Sequence, residues 1–193
     1  MAHETFYHLF DTSLGPVGMA WTGEGLARLQ LPEADRPRTY RRLKARRSTT
    51  WVRTWIRASP SSMVLQAIRE IKRHIGGEPP DYASVPLDLT DVSLFDRKIY
   101  EAAREIPWGR TTSYGELAEL AGYPGEARET GQALGRNPIA IIIPCHRILA
   151  KGKRIGGFSA HGGRLTKERL LALEGVDLEG DAPLLPGLLP RAW

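Results

Sequence analysis

The most chemically distinctive part of the chain is the segment 144–147, Pro-Cys-His-Arg, which follows three consecutive isoleucines. The isoleucines predict a buried segment that ends at Pro144, because proline cannot donate a backbone hydrogen bond to a sheet. Cys145 is the only cysteine in 193 residues, and neighbouring basic groups favour its reactive thiolate form. A nucleophile beside His146, a possible base, is typical of covalent catalysis. The alternative is that Cys145 is a small, unreactive side chain in the hydrophobic core, where free cysteines usually lie.

The composition limits the classes of protein that the chain can represent. Of its residues 41% are hydrophobic and 25% are charged, without a long uncharged apolar run, which predicts a globular protein with no membrane partner. The N-terminus lacks the pattern of a signal peptide. One cysteine excludes an internal disulfide and a multi-cysteine zinc site. These features predict a cytoplasmic location. The formal net charge of +5 is compatible with a nucleic-acid partner and with many other basic proteins.

The elements that position the cysteine are predicted to form two domains, an N-terminal one over 1–90 and a C-terminal one over 91–193. In the first, short segments of alternating polarity predict a small antiparallel sheet. The predicted strands are 5–10, 17–22 and 26–31. Apolar residues at helical spacing predict a helix over 62–75, closed by a Gly-Gly pair. A further edge strand is predicted at 85–89.

The segment 36–57 is rich in arginine and has two interpretations. It could contact the phosphates of a nucleic acid, or it could be a solvated helix face followed by a loop. Clustered charge is more often the second, and the sequence does not decide the role of this segment.

The C-terminal domain is predicted to be mainly helical. An apolar stripe predicts a helix over 94–106 with Ser93 as its cap. Ser113 and Glu116 have the spacing of a capping box that opens a helix to about 121. A turn and a second helix over 126–135 complete a helix-turn-helix pattern, in which the second helix enters a DNA groove. A pair of helices that merely pack together is the alternative. A last helix is predicted over 166–174, followed by an irregular tail.

Taken together, these motifs resemble one family, the O6-alkylguanine-DNA alkyltransferases, also called methylated-DNA–protein-cysteine methyltransferases. The resemblance is close over about 91–176 and loose over the N-terminal domain. The matching residues are Pro144, Cys145, His146, Arg147 and Ile148; Ile106, Pro107, Trp108 and Gly109 with Ser113 and Tyr114; Ala127, Arg128 and Gly131; Arg136, Asn137 and Pro138; and Gly156, Gly157, Phe158 and Ser159 with Lys167, Leu170, Leu171 and Glu174. Several motifs in order carry more weight than one motif alone.

The resemblance implies an α+β fold whose C-terminal domain is of the winged-helix or helix-turn-helix type. It implies direct-reversal DNA repair, in which a nucleotide is flipped out of duplex DNA and the alkyl group of O6-alkylguanine passes irreversibly to Cys145. His146 would take the thiol proton through a water, and Glu174 would orient His146. Asn137 would tie the recognition helix to this network. No cofactor and no metal ligand are implied, and the protein is expected to act as a monomer.

The resemblance also assigns substrate and DNA contacts. Tyr114 would donate a hydrogen bond to the guanine ring, Ser159 would hold O6, and Ile148 would line the substrate site. The recognition helix would lie in the minor groove, with Arg128 filling the gap left in the base stack. The other residues expected to contact DNA are Ala127, Thr130 and Gly131.

This chain departs from the family pattern in two places, and two alternative functions stay open. The loop after Ser159 is longer than in the family, which affects the range of alkyl groups accepted, and the acidic Glu126 and Glu129 flank Arg128. A related non-catalytic branch carries tryptophan at the position of Cys145, so the cysteine of this chain disfavours that branch. The first alternative is a non-catalytic winged-helix DNA-binding or lesion-sensing protein whose cysteine is incidental. The second is a cysteine hydrolase with a Cys-His-Glu triad, which would turn over repeatedly.

Overall fold

A computed structural model describes residues 4–45, 54–152 and 154–177 of the chain. Two regions discussed above fall partly outside these residues. They are positions 46–53 of the arginine-rich segment and the predicted irregular tail from 178 onward.

The N-terminal half is built on a four-stranded sheet. Its strands are β1 (Glu4–Thr12), β2 (Gly15–Trp21), β3 (Leu26–Gln30) and β4 (Thr54–Arg57), in the order β3-β2-β1-β4. The first three form the predicted antiparallel meander. Strand β4 was not predicted, and it pairs with β1 in parallel. The predicted edge strand at 85–89 is reduced to a single bridge between Leu26 and Leu87, in keeping with a neighbouring Pro86 that lacks an N–H group.

Two helices accompany this sheet. Helix α1 (Arg36–Lys44) is capped by Asp35 and buries Thr39 and Leu43, so this part of the arginine-rich segment is a helix with an exposed basic face. Helix α2 (Ser62–Ile75) has the predicted bounds, with the Ser61 hydroxyl accepting a hydrogen bond from a backbone N–H of the first turn. The buried side of α2 packs on the core, and its last two buried residues are His74 and Ile75.

The C-terminal half is mainly helical, as predicted. Its helices are α3 (Leu94–Arg104), α4 (Tyr114–Leu120), α5 (Ala127–Gly135) and α6 (Arg164–Leu173). Helix α3 ends two residues earlier than predicted. Ser113 and Glu116 form the predicted capping box at the start of α4. Two short strands, β5 (Thr112–Ser113) and β6 (Ile148–Leu149), pair in parallel.

One continuous hydrophobic core joins the two halves. It contains Met19 and Ile71 from the N-terminal half together with Ile99, Leu117 and Ile148 from the C-terminal half. The backbone N–H of Leu29 in β3 also donates to the carbonyl of Pro138, just ahead of the cysteine segment. The N-terminal sheet therefore supports the segment that carries Cys145. Over the part of the chain that the structure describes, no helix combines the length and apolar character that crossing a membrane requires.

Candidate active site

Cys145 lies at the start of a single 3₁₀ turn, Cys145–Arg147, that leads into β6. Two tight turns bring the chain to it. The N–H of Ile142 donates to the carbonyl of Ala140 across Ile141, and the N–H of Cys145 donates to the carbonyl of Ile143 across Pro144. Ile141 has φ of 73°, a conformation that β-branched residues rarely adopt and that costs on the order of 1–3 kcal/mol. Strained backbone of this kind is common at functional sites.

Asn137 fixes the nucleophile. Its Nδ2 donates to the carbonyl of Ile143 at 2.9 Å and to Sγ of Cys145 at 3.3 Å, while its Oδ1 accepts from the N–H of Ile139 at 2.9 Å. Asn137 lies two residues after the end of α5. These bonds therefore connect the second helix of the helix-turn-helix pair to the thiol.

His146 and Glu174 form the predicted pair. The Nε2 of His146 lies 2.7 Å from Oε1 of Glu174, and both side chains are buried. Since an ionised carboxylate only accepts hydrogen bonds, the proton of a neutral His146 is on Nε2. Its Nδ1 is buried without a protein partner among the described residues. Nδ1 is therefore the ring nitrogen that remains available to accept a proton.

Arg147 completes the surroundings of Glu174, a contribution that the sequence did not predict. Its Nε donates to Oε2 of Glu174 at 2.8 Å and its Nη2 to Oε1 at 3.0 Å, which is the strong bidentate geometry. The backbone N–H of Gly109 donates to Oε2 at 3.2 Å. The position of Arg147 next to Cys145 and His146 in the sequence was a signal that it could belong to the site. Only the fold shows that its partner is the carboxylate of Glu174.

These contacts set the charge state of the pair. Burial by itself raises the pKa of Glu174, but the hydrogen bonds with His146 and Arg147 and the close approach of His74 outweigh it and hold the pKa well below its usual range. Burial lowers the pKa of His146 to about 4, although Glu174 acts in the opposite direction. Because His146 is then neutral at pH 7, the permanent charge of Arg147 is the partner that keeps Glu174 ionised.

The thiol lies in a dry environment beside two further polar groups. Burial raises the pKa of Cys145, while the hydrogen bond from Asn137 and the charge of Lys167 act in the opposite direction. Lys167 is fully buried, donates to the carbonyl of Ile148 and lies 5.8 Å from the ring centre of Tyr114. Burial lowers the pKa of Lys167 to about 8 and raises the pKa of Tyr114. Tyr114 is therefore protonated, and able to donate, at neutral pH.

His74 is a third titratable group at Glu174 that the sequence did not assign to the site. It is fully buried on α2, with Nε2 3.1 Å from Oε1 of Glu174. His74, His146 and Glu174 together offer ligand atoms within 4.8 Å of one another, which a metal ion could use. The guanidinium of Arg147 already donates to both carboxylate oxygens, so a second cation there would meet charge repulsion. The geometry favours a hydrogen-bond network.

An open cleft leads to Cys145. Its walls come from both halves of the chain. They include Asn137, Phe158 and Ser159 on one side and Arg28, Gln30 and Arg42 on the other. Ser159 thus lines the same cleft as Cys145. The longer loop that follows reaches the N-terminal half, where Nδ1 of His161 lies 3.4 Å from Oε2 of Glu33.

The exposed face of α5 carries most of the residues predicted to contact DNA. Arg128 is exposed, and Ala127 and Gly131 are partly exposed. Thr130 is fully buried, which contradicts its predicted DNA contact, because it shares the helical stripe of Ala133 and Leu134 that packs on the core.

The side chain of Ile148 is fully buried in the core, so it does not line the cleft as expected. Glu126 and Glu129 are both exposed and interact with each other, which raises the pKa of Glu126. They stand beside Arg128 at the start of α5.

The fold and the site define an α+β protein in which a helix-turn-helix pair is coupled to a buried thiol nucleophile. A family model described as the DNA binding domain of 6-O-methylguanine DNA methyltransferase matches residues 94–176. The methylated-DNA–protein-cysteine methyltransferase of Mycobacterium bovis is 34% identical over 168 residues, which covers 87% of this chain and 91% of that relative. The chain therefore belongs to the methylated-DNA–protein-cysteine methyltransferase family.

Two further comparisons agree with this assignment. The methylated-DNA–protein-cysteine methyltransferase of Mycolicibacterium paratuberculosis is 43% identical over 108 residues, which covers 56% of this chain and 63% of that relative, less than two thirds of its length. The crystal structure of Mycobacterium tuberculosis OGT in complex with DNA has a TM-score of 0.70 at 33% identity, covering 88% of this chain and 92% of that one.

Proposed function

We propose that this protein repairs O6-alkylguanine in double-stranded DNA by transferring the alkyl group to Cys145. The observation that carries the proposal is a buried thiol, held by Asn137 at 3.3 Å, next in sequence to the hydrogen-bonded pair of His146 and Glu174. Membership of the family and the DNA complex of M. tuberculosis OGT support the reaction and the partner. Because the product is a stable thioether, each molecule reacts once.

The reaction begins with ionisation of the thiol. His146 receives the thiol proton at Nδ1 through a water, and Glu174 stabilises the imidazolium that results. Sγ then attacks the alkyl carbon, so the S–C bond forms as the bond from carbon to O6 breaks. The electron pair of the broken bond stays on guanine, and the hydroxyl of Tyr114 donates a proton to the ring. The tyrosine recovers its proton from solvent.

Before the reaction, both the proton donor, the thiol of Cys145, and the proton acceptor, the imidazole of His146, are uncharged. Burial raises the pKa of Cys145 and lowers that of His146 to about 4, so at pH 7 the site holds a thiol and an imidazole rather than an ion pair. The ion pair therefore forms when the lesion fills the cleft and its binding energy contributes to ionisation.

The DNA surface includes the exposed face of α5. Arg128 enters the base stack in place of the flipped nucleotide, and Ala127 and Gly131 allow the helix to approach the minor groove closely. The flipped base lies in the cleft, where Ser159 holds O6. We also propose that the chain acts as a monomer of two domains that meet near residue 90, in a reducing cytoplasm that keeps its single thiol reduced.

The test is the intact mass of the protein after mixing with a duplex that contains one O6-methylguanine. The expected result is a gain of one methyl group per protein, equal to the lesion lost and absent in Cys145→Ala. Repeated turnover without a mass gain would indicate a hydrolase. Binding of the duplex with no change in mass would indicate a lesion-sensing protein, and either outcome would overturn the proposal.

A further inference from the structure

His74 reaches the Glu174 network from the N-terminal half of the chain. Its Nε2 lies 3.1 Å from Oε1 of Glu174, the same oxygen that faces Nε2 of His146 at 2.7 Å. The edge of its ring packs on His146, with ring centres 5.5 Å apart and an interplanar angle of 71°. It packs in the same way on Trp108, with centres 4.8 Å apart. The imidazole is thus held on several sides.

Among the described residues, the ring of His74 has no polar partner other than Glu174. Within the described residues, neither ring nitrogen has a well-aligned hydrogen bond, and a buried polar group without a partner is unfavourable. The 3.1 Å contact with Glu174 is the interaction available to it. Since that carboxylate is ionised and only accepts, the proton of His74 is on Nε2. His74 therefore faces Glu174 as a neutral donor.

We propose that His74 is a positioning residue for alkyl transfer, acting through Glu174 on His146. Its Nε2–H holds Oε1 in the orientation that His146 requires and limits how strongly Glu174 attracts the proton of His146. This inference rests on the proposed reaction at Cys145. It makes the N-terminal half of the chain part of the proton-transfer machinery, although His74 does not touch the substrate.

The groups that face His74 come from every element packed around it. They are Glu174 at the end of α6, His146 and Arg147 from the 3₁₀ turn, and Tyr82 from the loop after α2, whose ring centre is 6.0 Å away. Arg147 stays charged, and burial raises the pKa of Tyr82 well above its usual range. Burial also lowers the pKa of His74 itself. Near neutral pH, the group whose charge changes during the reaction is therefore His146.

The experiment measures the rate of Cys145 methylation by a duplex carrying O6-methylguanine, by quenched mixing and intact mass, between pH 5 and pH 9. His74→Phe keeps an aromatic ring and removes the donor, whereas His74→Gln restores a donor that does not titrate. His74→Asn is too short to reach Glu174 and replaces the Phe variant if that variant does not fold. His8→Gln, a half-buried histidine on β1, is the matched control.

We expect His74→Phe to slow methylation about tenfold, because the misorientation of Glu174 and His146 outweighs any gain in the basicity of His146. We also expect the acidic limb of its pH profile to move to higher pH, because Glu174 then attracts the proton of His146 more strongly. His74→Gln should recover most of the rate, and His8→Gln should match the wild type. A wild-type rate and profile in His74→Phe would overturn the inference. So would a His74→Gln variant that is as slow as His74→Phe with an unshifted profile. If the wild type itself gained no methyl group, the proposed function would have failed instead.

Discussion

Replacing Glu174 by glutamine tests whether the carboxylate is the centre of the active-site network. Each carboxylate oxygen accepts from at least two donors: Oε1 from His146 and Arg147, and Oε2 from Arg147 and Gly109. Glutamine has the same shape, but its amide NH₂ group replaces one of the two carboxylate oxygens. Whichever oxygen it replaces, this NH₂ group faces two N–H donors and can accept from neither. The substitution therefore leaves Arg147 as a buried charge without a counterion.

The expected loss of stability follows from that geometry. Removing one partner of a buried ion pair costs about 3–5 kcal/mol, because the remaining charge is uncompensated. We expect Glu174→Gln to lower the free energy of unfolding in urea by about that amount at pH 7 and 25 °C. The matched control is Glu168→Gln on the same helix, since Glu168 pairs at 2.7 Å with an Arg164 side chain that is half exposed. Pairs near the surface contribute about 0–1 kcal/mol.

The pH dependence of this difference gives a second readout. The pKa of Glu174 is lowered in the folded state, so its contribution to stability is present above the unfolded value of about 4.3 and is lost as pH falls below it. The stability gap between wild type and Glu174→Gln should therefore narrow as pH falls below about 4. A loss under about 1 kcal/mol at pH 7, or a gap that does not change in acid, would refute the network as described.

Two further predictions concern the cleft and the thiol. A Cβ at Gly156 would lie 3.1 Å from the hydroxyl oxygen of Tyr114, whereas one at Gly157 would meet nothing within 4 Å. We therefore expect Gly156→Ala to slow methylation by O6-methylguanine about tenfold, because it displaces the proton donor Tyr114. Gly157→Ala should leave the rate unchanged. Equal rates in the two variants would contradict the placement of Tyr114. Because burial raises the pKa of Cys145, its alkylation by iodoacetamide should be slow at pH 7 and still rising above pH 9. A plateau below pH 8 would show that a thiolate is already present in the resting protein.

The sequence predicted the elements whose signals are local. The meander followed from alternation, and the bounds of α2 followed from apolar spacing between Ser61, which caps it, and the Gly-Gly pair. Strand β4 was missed because its four residues are the end of the arginine-rich segment and its pairing with β1 is parallel and distant in sequence. Such a pairing depends on tertiary packing, which the β-strand propensity of the local sequence does not predict.

The site divides in the same way. Cys145, His146 and Asn137 lie within nine residues of one another, and the roles proposed for them came from motifs that resemble the family. His74 and Glu174 are separated by a hundred residues, and only the fold brings them within 3.1 Å. A signal for His74 did exist, because it lies on the apolar face of α2 between Ile71 and Ile75. A histidine on such a face needs a polar partner, and the sequence does not identify that partner.

A neutral resting thiol suits a protein that is consumed by its own reaction. Cys145 is only 8% exposed, and its raised pKa keeps the thiolate scarce, so small electrophiles and oxidants find little to react with. The same burial makes ionisation unfavourable, and in the proposed reaction that cost is offset when the lesion fills the cleft lined by Cys145 and Ser159. Specificity for the lesion would then arise from ionisation as well as from the shape of the cleft. This requires Glu174 to be charged and fixed before the substrate arrives, which is what Arg147, Gly109 and His74 provide.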